Sequence, residues 1–189
     1  FQVSTPAATT RASGSVVSIL EGGERAVVRL DSGRVASVAQ HAGIAPAPLD
    51  WALEPGQRVS GDLDDATGRL RVDVAIAGAD ELWARYPPGS VILALVDRVE
   101  RQRATLVPHP GVIVAVGRAD LSSNPRDRVD LLLTEGDVIE VRVVRDEQGR
   151  ITLRTIDLDD DEQAMDAHPV IAGGPPWLRP GRPLPGSPV

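Results

Sequence analysis

Leu53-Glu-Pro-Gly-Gln-Arg-Val-Ser-Gly-Asp-Leu-Asp-Asp-Ala-Thr-Gly-Arg-Leu-Arg-Val72 reveals the architecture, because the chain writes it twice. The second copy is Leu133-Thr-Glu-Gly-Asp-Val-Ile-Glu-Val-Arg-Val-Val-Arg-Asp-Glu-Gln-Gly-Arg-Ile-Thr-Leu153. One inserted residue aligns Gly56 with Gly136, and Gly68-Arg69 with Gly149-Arg150. Within each copy, apolar and polar residues alternate with the period of two that a half-buried strand requires. Val59, Gly61 and Leu63 oppose Arg58, Ser60 and Asp62; Leu70, Val72 and Val74 oppose Arg69, Arg71 and Asp73. In the second copy Ile139, Val141 and Val143 oppose Glu140 and Arg142, and Ile151 and Leu153 oppose Arg150, Thr152 and Arg154.

Upstream of these copies, Gly14-Ser15-Val16-Val17 matches Gly89-Ser90-Val91-Ile92, so the two repeats span about 14–76 and 89–157. Each reads as five short strands. In the second they fall near 90–99, 103–108, 112–117, 137–146 and 150–156; in the first, Arg25–Leu30 and Arg34–Ala39 are strands two and three. Turn chemistry separates them: Asp31-Ser32-Gly33, Asp65-Ala66-Thr67-Gly68, His109-Pro110-Gly111 and Glu147-Gln148-Gly149 all place a glycine where a hairpin needs positive φ. A longer stretch, 40–55 and 118–135, follows the third strand of each repeat. Three strands, a long connection and two strands is the order of an OB-type barrel. The expected fold is therefore all-β, two tandem five-stranded OB-type antiparallel barrels with disordered or extended termini. Residues 1–13 read as a flexible N-terminal segment, 77–88 as a linker, and 158–189 as an acidic, then Pro/Gly-rich tail too poor in apolar surface to order itself. Val170, Ile171 and Trp177 are its potential anchors.

The second repeat resembles the S-one domain, the OB-fold repeat of the largest protein of the bacterial small ribosomal subunit. The resemblance covers about 83–157, through Trp83, Gly89-Ser90-Val91, the Val112–Gly117 strand, Asp120-Leu121-Ser122 and Leu133–Val141 ending in Gly149-Arg150-Ile151-Thr152-Leu153. The first repeat looks like a more diverged copy. The resemblance implies a five-stranded barrel and the binding of single-stranded RNA. It also locates a departure: the family's binding face carries aromatic residues on strands two and three, whereas the matching positions here are Gln102, Thr105 and Gly117. A stacked base is worth about 1–3 kcal/mol, so base affinity through stacking is reduced.

Composition bounds the chemistry. The chain of 189 residues carries 20 basic residues, all arginine, against 27 acidic ones, for a net charge of -7, which opposes general polyanion binding. It contains no cysteine, so disulfides, thiolate metal sites and thiol catalysis are excluded. The longest apolar run, Val91–Val96, is far short of the roughly 20 residues of a membrane span, as is Val112–Val116. Nothing at the start reads as a signal peptide, and the chain is expected to be cytoplasmic and a fragment of a larger protein. No nucleophile–base, metal or phosphate-loop pattern occurs, so an enzyme and a cofactor are not expected.

Charge is uneven along the chain. Repeat one is net -3 and repeat two net -1, yet within 97–128 six arginines meet four acids. This stretch holds the first hairpin loop and strands two and three of the second barrel, which border an OB groove. The candidate nucleic-acid-binding residues are Arg98, Arg101, Arg103, Thr105, His109, Arg118, Arg126 and Arg128, with His109 in a turn. The guanidinium groups would pair with phosphate or stack on bases. Two readings stay open: an RNA-binding face, or a solvated loop whose arginines pair with neighbouring acids. Trp51, Trp83 and Tyr86 are expected to cap barrel ends or fill the seam between repeats, and Trp177 to serve as a ligand for another domain or as an anchor on its own chain. The expected partner is single-stranded RNA, contacted by the second barrel while the more acidic first is a structural spacer. The alternative is a protein-interaction or scaffolding module on a degenerate OB fold.

Overall fold

The computed structural model describes residues 9–39 and 48–179. The chain divides into two compact units: one runs to Ala75 and takes in Pro169–Pro175, and the other comprises Ile76–His168 and resumes at Pro176.

In the first unit, β1 (Thr9–Ile19), β2 (Arg25–Leu30), β3 (Val35–Ala39), β4 (Arg58–Asp64) and β5 (Arg69–Val72) close into a barrel in the order β1-β2-β3-β5-β4. The long β1 makes this possible. Its C-terminal half pairs with β2, its N-terminal half pairs with β4, and a bulge between Val16 and Ser18 adds twist at the changeover. Closure on the other side is parallel, Ser37 of β3 against Arg69 of β5, with the Ser37 N–H donating to the Gly68 carbonyl at 2.9 Å. The alternation read from the sequence is the one observed: Val59, Leu63, Leu70 and Val72 are buried with Val16, Ala26, Val28, Ala36 and Val38. In the long connection, α1 (Leu49–Ala52) buries Leu49 and Trp51.

Three expectations change here. The segment 1–13 is not uniformly a loose end, since Thr9–Ser13 form strand against Asp64–Ser60. Composition does not reveal this because the ordering comes from β4, about fifty residues away, which supplies the ladder partners. Val74, expected to be buried with Leu70 and Val72, is exposed: β5 ends at Val72, and Val74 instead forms a bridge to Ile171. The tail segment is ordered there as well. Val170 and Ile171 are buried, and the Ala75 N–H donates to the Val170 carbonyl at 2.9 Å. Residues 1–8, His41 and Pro46, and the prolines at 180, 183, 185 and 188 lie outside the described residues.

The second unit begins with α2 (Ala79–Arg85), a short helix where a linker was expected. Leu82 and Tyr86 give it an anchor, both fully buried, while Trp83 is half-buried. Then follow β6 (Val91–Val99), β7 (Arg103–His109), β8 (Val112–Gly117), α3 (Arg118–Leu121), α4 (Val129–Leu132), β9 (Val138–Arg145) and β10 (Ile151–Arg154). The sheet order is β10-β9-β6-β7-β8. It matches the first barrel except that β8 and β10 form no ladder. The backbone of α3 bridges this gap: the Thr155 N–H donates to the Asp120 carbonyl at 3.0 Å and the Thr155 hydroxyl to the Leu121 carbonyl at 3.2 Å. Leu106, Val114, Val116, Val141, Val143 and Leu153 form the core between the strands. The six residues Val91–Val96 are buried on both faces of β6, a strand covered from outside as well as inside. The tail supplies part of the cover, with the Met165 N–H donating to the Val91 carbonyl at 2.8 Å.

Candidate nucleic-acid interface

Strand register gathers the candidate residues of the second unit. Arg98 on β6 lies opposite Thr105 on β7, and Thr105 opposite Ala115 on β8, so the three stand in one row across the outer face. Arg103, opposite Gly117, stands one step further along. Together with Glu100 and Ala104 they line a shallow cavity of about 260 Å³. Arg101 lies in the exposed turn before β7, and this turn is held from behind. Its carbonyl accepts the Val129 N–H at 2.9 Å, and the Gln102 carbonyl accepts the Arg118 N–H at 3.0 Å. The first hairpin loop is thereby fixed to the starts of both α3 and α4.

The arginines are not equivalent once placed. Arg103 is bonded through Nε to Glu100 at 2.6 Å, and this bond holds the Glu100 carboxyl below its usual range. Arg128 grips Asp130 with two bonds of 3.0 and 2.5 Å, lowering the Asp130 pKa likewise. All four side chains are exposed or nearly so, and such pairs exchange readily for a phosphate. Arg118 instead supports its own loop. Its Nη1 donates to the Ser122 and Asn124 carbonyls at 2.7 and 2.9 Å, closing the connection between α3 and α4. Inside that loop Asp127 accepts from Ser122 Oγ and from Asn124 Nδ2, and Asn124 Oδ1 accepts the Arg126 N–H at 3.0 Å. Arg98, Arg101 and Arg126 are exposed and form no ion pair among the described residues.

The fold also brings in two acids that the 97–128 window left out. Asp130 holds Arg128, and Glu135 Oε1 accepts the Val99 N–H at 3.1 Å. They cancel the arginine surplus of that window, so what distinguishes this end is three exposed guanidinium groups without an ion pair among the described residues, although Arg98 still acts on Glu100 and Arg101 on Asp130. Two apolar face residues also escaped the sequence reading: Ile113 on β8 and Leu131 on α4 are 65% and 77% exposed. Strand alternation places Ile113 outward, but the exposure of Leu131 depends on how α4 docks.

His109 does not belong to this site. Expected in an exposed turn, it ends β7 and is only 3% exposed, about six residues and roughly 20 Å of strand from Arg103. Its ring stands edge-on to Trp177 with centroids 6.2 Å apart, and Trp177 Nε1 donates to the Pro108 carbonyl at 3.2 Å. Trp177 is thus an anchor on its own chain and is completely buried. The cause lies in the tail, which returns to cover the end of β7 from a distance no local pattern encodes. Tyr86 is buried nearby against the tail as well, stacked on His168 and accepting the His168 N–H at its hydroxyl, 3.1 Å.

Burial pushes the His109 pKa down to about 4, and neighbouring His168 pushes in the same direction. The unfolded chain gains this proton near pH 6.5, the folded chain only near pH 4. Stability is therefore complete above pH 6.5 and is lost as pH falls towards 4, by up to about 3 kcal/mol. Urea unfolding at pH 7 and pH 4.5 is expected to show this loss in the parent and a clearly smaller one in His109→Gln. An equal loss in both proteins would place the acid sensitivity elsewhere. His168 is lowered too, by burial and then by Arg85.

Among the described residues, no group of three or more His, Asp or Glu could hold a metal ion, and no helix is long and apolar enough to cross a membrane. No family model and no curated protein matches the chain. Among solved structures, the chain is similar to the crystal structure of a multidomain protein with nucleic acid binding domains from Streptococcus pneumoniae TIGR4. The identity is 15%, the TM-score 0.25, and the match covers 76% of this chain. The chain spans 50% of the length of that structure.

Proposed function

We propose that this chain is a non-catalytic nucleic-acid-binding module of the S-one kind whose second barrel makes weak contacts with single-stranded RNA. The observation that carries the reading is the grouping of Arg98, Arg103 and Thr105 around one shallow cavity on strands β6, β7 and β8, with Arg101 in the exposed turn that leads into β7. In OB barrels the strand-two and strand-three face and the first hairpin loop are where oligonucleotides lie. Arg98 and Arg101 contact phosphate, Arg103 exchanges Glu100 for phosphate, and Thr105 offers a hydroxyl to the strand. With no aromatic residue on this face, binding is dominated by phosphate neutralisation, and it is weak, sequence-tolerant and sensitive to salt.

Titration of a fluorescent single-stranded RNA at low and moderate salt tests this. Binding at low salt is expected, with a loss of about tenfold or more when Arg98 and Arg101 are both replaced by alanine. No binding at low salt, or no loss in that variant, overturns the reading. The exposure of Ile113 and Leu131 favours the second reading, a protein-interaction or scaffolding module. Under it, Ile113→Ser and Leu131→Ser would disrupt complexes that survive nuclease treatment.

A further inference from the structure

Two imidazoles lie where the tail docks on the second unit, and the nucleic-acid reading uses neither. His109 is 3% exposed at the end of β7, and His168 on the tail is half-buried. His109 Nδ1 and His168 Nε2 are both buried without a hydrogen-bond partner among the described residues. The tail's attachments surround them. Ala167, Trp177 and Leu178 are buried, the Trp177 ring stands edge-on to His109, and His168 stacks on Tyr86 with centroids 4.7 Å apart. Few charged or titratable groups act here. His168 acts on His109, Arg85 of α2 acts on His168 while bonded to Glu81 at 3.0 Å, and Asp166 of the tail acts on Tyr86.

A neutral imidazole can leave a bare lone pair on its buried nitrogen. A protonated one places an N–H and a positive charge there, with no acceptor to receive them. The surroundings add to the cost, because a second imidazole and the Arg85 guanidinium both oppose positive charge. The docked tail therefore keeps both rings neutral, whereas a tail lifted into water lets both take up a proton. By linkage, acid favours the lifted form: docking is at full strength above pH 6.5 and weakens as pH falls to about 4. The stretch of tail that lies in the first unit, Pro169–Pro175, has no titratable side chain. The response is thus confined to the tail's attachment to the second unit.

We infer that His109 and His168 form an acid-operated latch for the tail, whose protonation lifts Trp177 and Leu178 off the second unit ahead of the barrel strands. The latch is independent of the nucleic-acid reading. It also says more than a loss of stability, because it names the segment that opens first. The order follows from how each part is held. The strands share continuous ladders, whereas the tail meets the second unit through isolated bonds, such as Trp177 Nε1 to the Pro108 carbonyl at 3.2 Å and the His168 N–H to the Tyr86 hydroxyl at 3.1 Å. Segments with few backbone bonds open at lower free energy than ladders. Opening bares the Pro108 carbonyl, the buried end of β7 and the ring of Tyr86.

Because the chain has no cysteine, a single introduced thiol can report opening. Leu178→Cys puts it at a tail position that is 1% exposed, and Val143→Cys at a barrel position that is 0% exposed. Reaction of the whole chain with a dipyridyl disulfide is followed at pH 7 and pH 4.5, each rate divided by that of a free cysteine peptide at the same pH. The relative rate in Leu178→Cys is expected to rise about fiftyfold between the two, the ratio set by a His109 proton taken up near pH 6.5 when open and near pH 4 when docked. The thiol in Val143→Cys is expected to react more slowly at both. Adding His109→Gln is expected to cut the rise below about fivefold. His168→Gln, at a half-buried position, is expected to reduce it as well, and decides the matter alone if circular dichroism at pH 7 shows the His109 variant unfolded. No rise in Leu178→Cys overturns the latch. A rise that either folded glutamine variant leaves unchanged also overturns it, because the latch needs both rings. Equal relative rates at 178 and 143 overturn it too, since the whole unit would then be unfolding at once.

Discussion

Replacing Trp177 with alanine is expected to cost about 3–5 kcal/mol of unfolding free energy, as for other large aromatic deletions from a packed interior. The side chain is 0% exposed, with its ring edge on His109 and its Nε1 on the Pro108 carbonyl. Alanine would leave a cavity at the end of β7 and an unmet carbonyl, both of which the surrounding strands can relax only in part. Since domains of this size are stable by about 5–15 kcal/mol, Trp177→Ala would come close to unfolding the second unit. Trp177→Phe, which keeps most of the volume but not the N–H, is expected to lose clearly less. Urea unfolding followed by far-ultraviolet circular dichroism reads both. A loss under about 1 kcal/mol for the alanine variant would mean that the tail is not part of the core. Ending the chain at residue 168 removes Val170, Ile171, Trp177 and Leu178, all buried, and is expected to be worse than any single change.

Adding one methyl group at Gly61 is the second large effect. A Cβ there would stand 2.1 Å from the Arg71 carbonyl oxygen and 2.7 Å from its carbon; at Gly14 it would stand 2.4 Å from the Arg29 carbonyl oxygen. In both cases the obstacle is backbone of the neighbouring strand, which cannot swing aside as a side-chain end can. These glycines serve close approach rather than positive φ: each faces backbone of the strand it pairs with, Gly14 of β1 against β2 and Gly61 of β4 against β5. Gly61→Ala and Gly14→Ala are each expected to cost about 3 kcal/mol or more, at the upper end of overpacking penalties. Gly117→Ala is the control. A methyl there meets nothing within 4 Å, and its expected cost is under about 1 kcal/mol as a change of helix cap. Equal melting temperatures for the Gly61 and Gly117 variants would show that the first barrel is looser than its strand pairing implies.

The alternation at 58–63 and 139–143 made the barrel strands legible because a period-two pattern is local: each residue's face follows from its neighbours. The β8 boundaries expected from the sequence are those observed, and β7 extends one residue further. Of the eight candidate site residues, Arg98, Arg103 and Thr105 meet on one cavity, as strand order alone would suggest. The rest could not be sorted from sequence. Whether Arg118 holds loop carbonyls, whether Arg128 holds Asp130, and whether Arg126 stands free of ion pairs depends on the path of a loop with no periodicity. His109 was misplaced because a His-Pro-Gly turn looks exposed unless something distant covers it.

Local signals were enough to establish two like units of five strands each, and to assign the inward-facing residues of β4, β5, β9 and β10 apart from Val74. Turn glycines and alternation act over a few residues, and the repeat doubled the signal. What closes each barrel, where the tail goes and which arginines are spent emerged only from the folded chain. Those outcomes depend on contacts between residues tens of positions apart: β1 with β4, Val74 with Ile171, Pro108 with Trp177. A charge total over a sequence window cannot know that Arg11 and Arg58 are bound to acids while Arg29 and Arg71 are not, because ion pairing is fixed by register across strands.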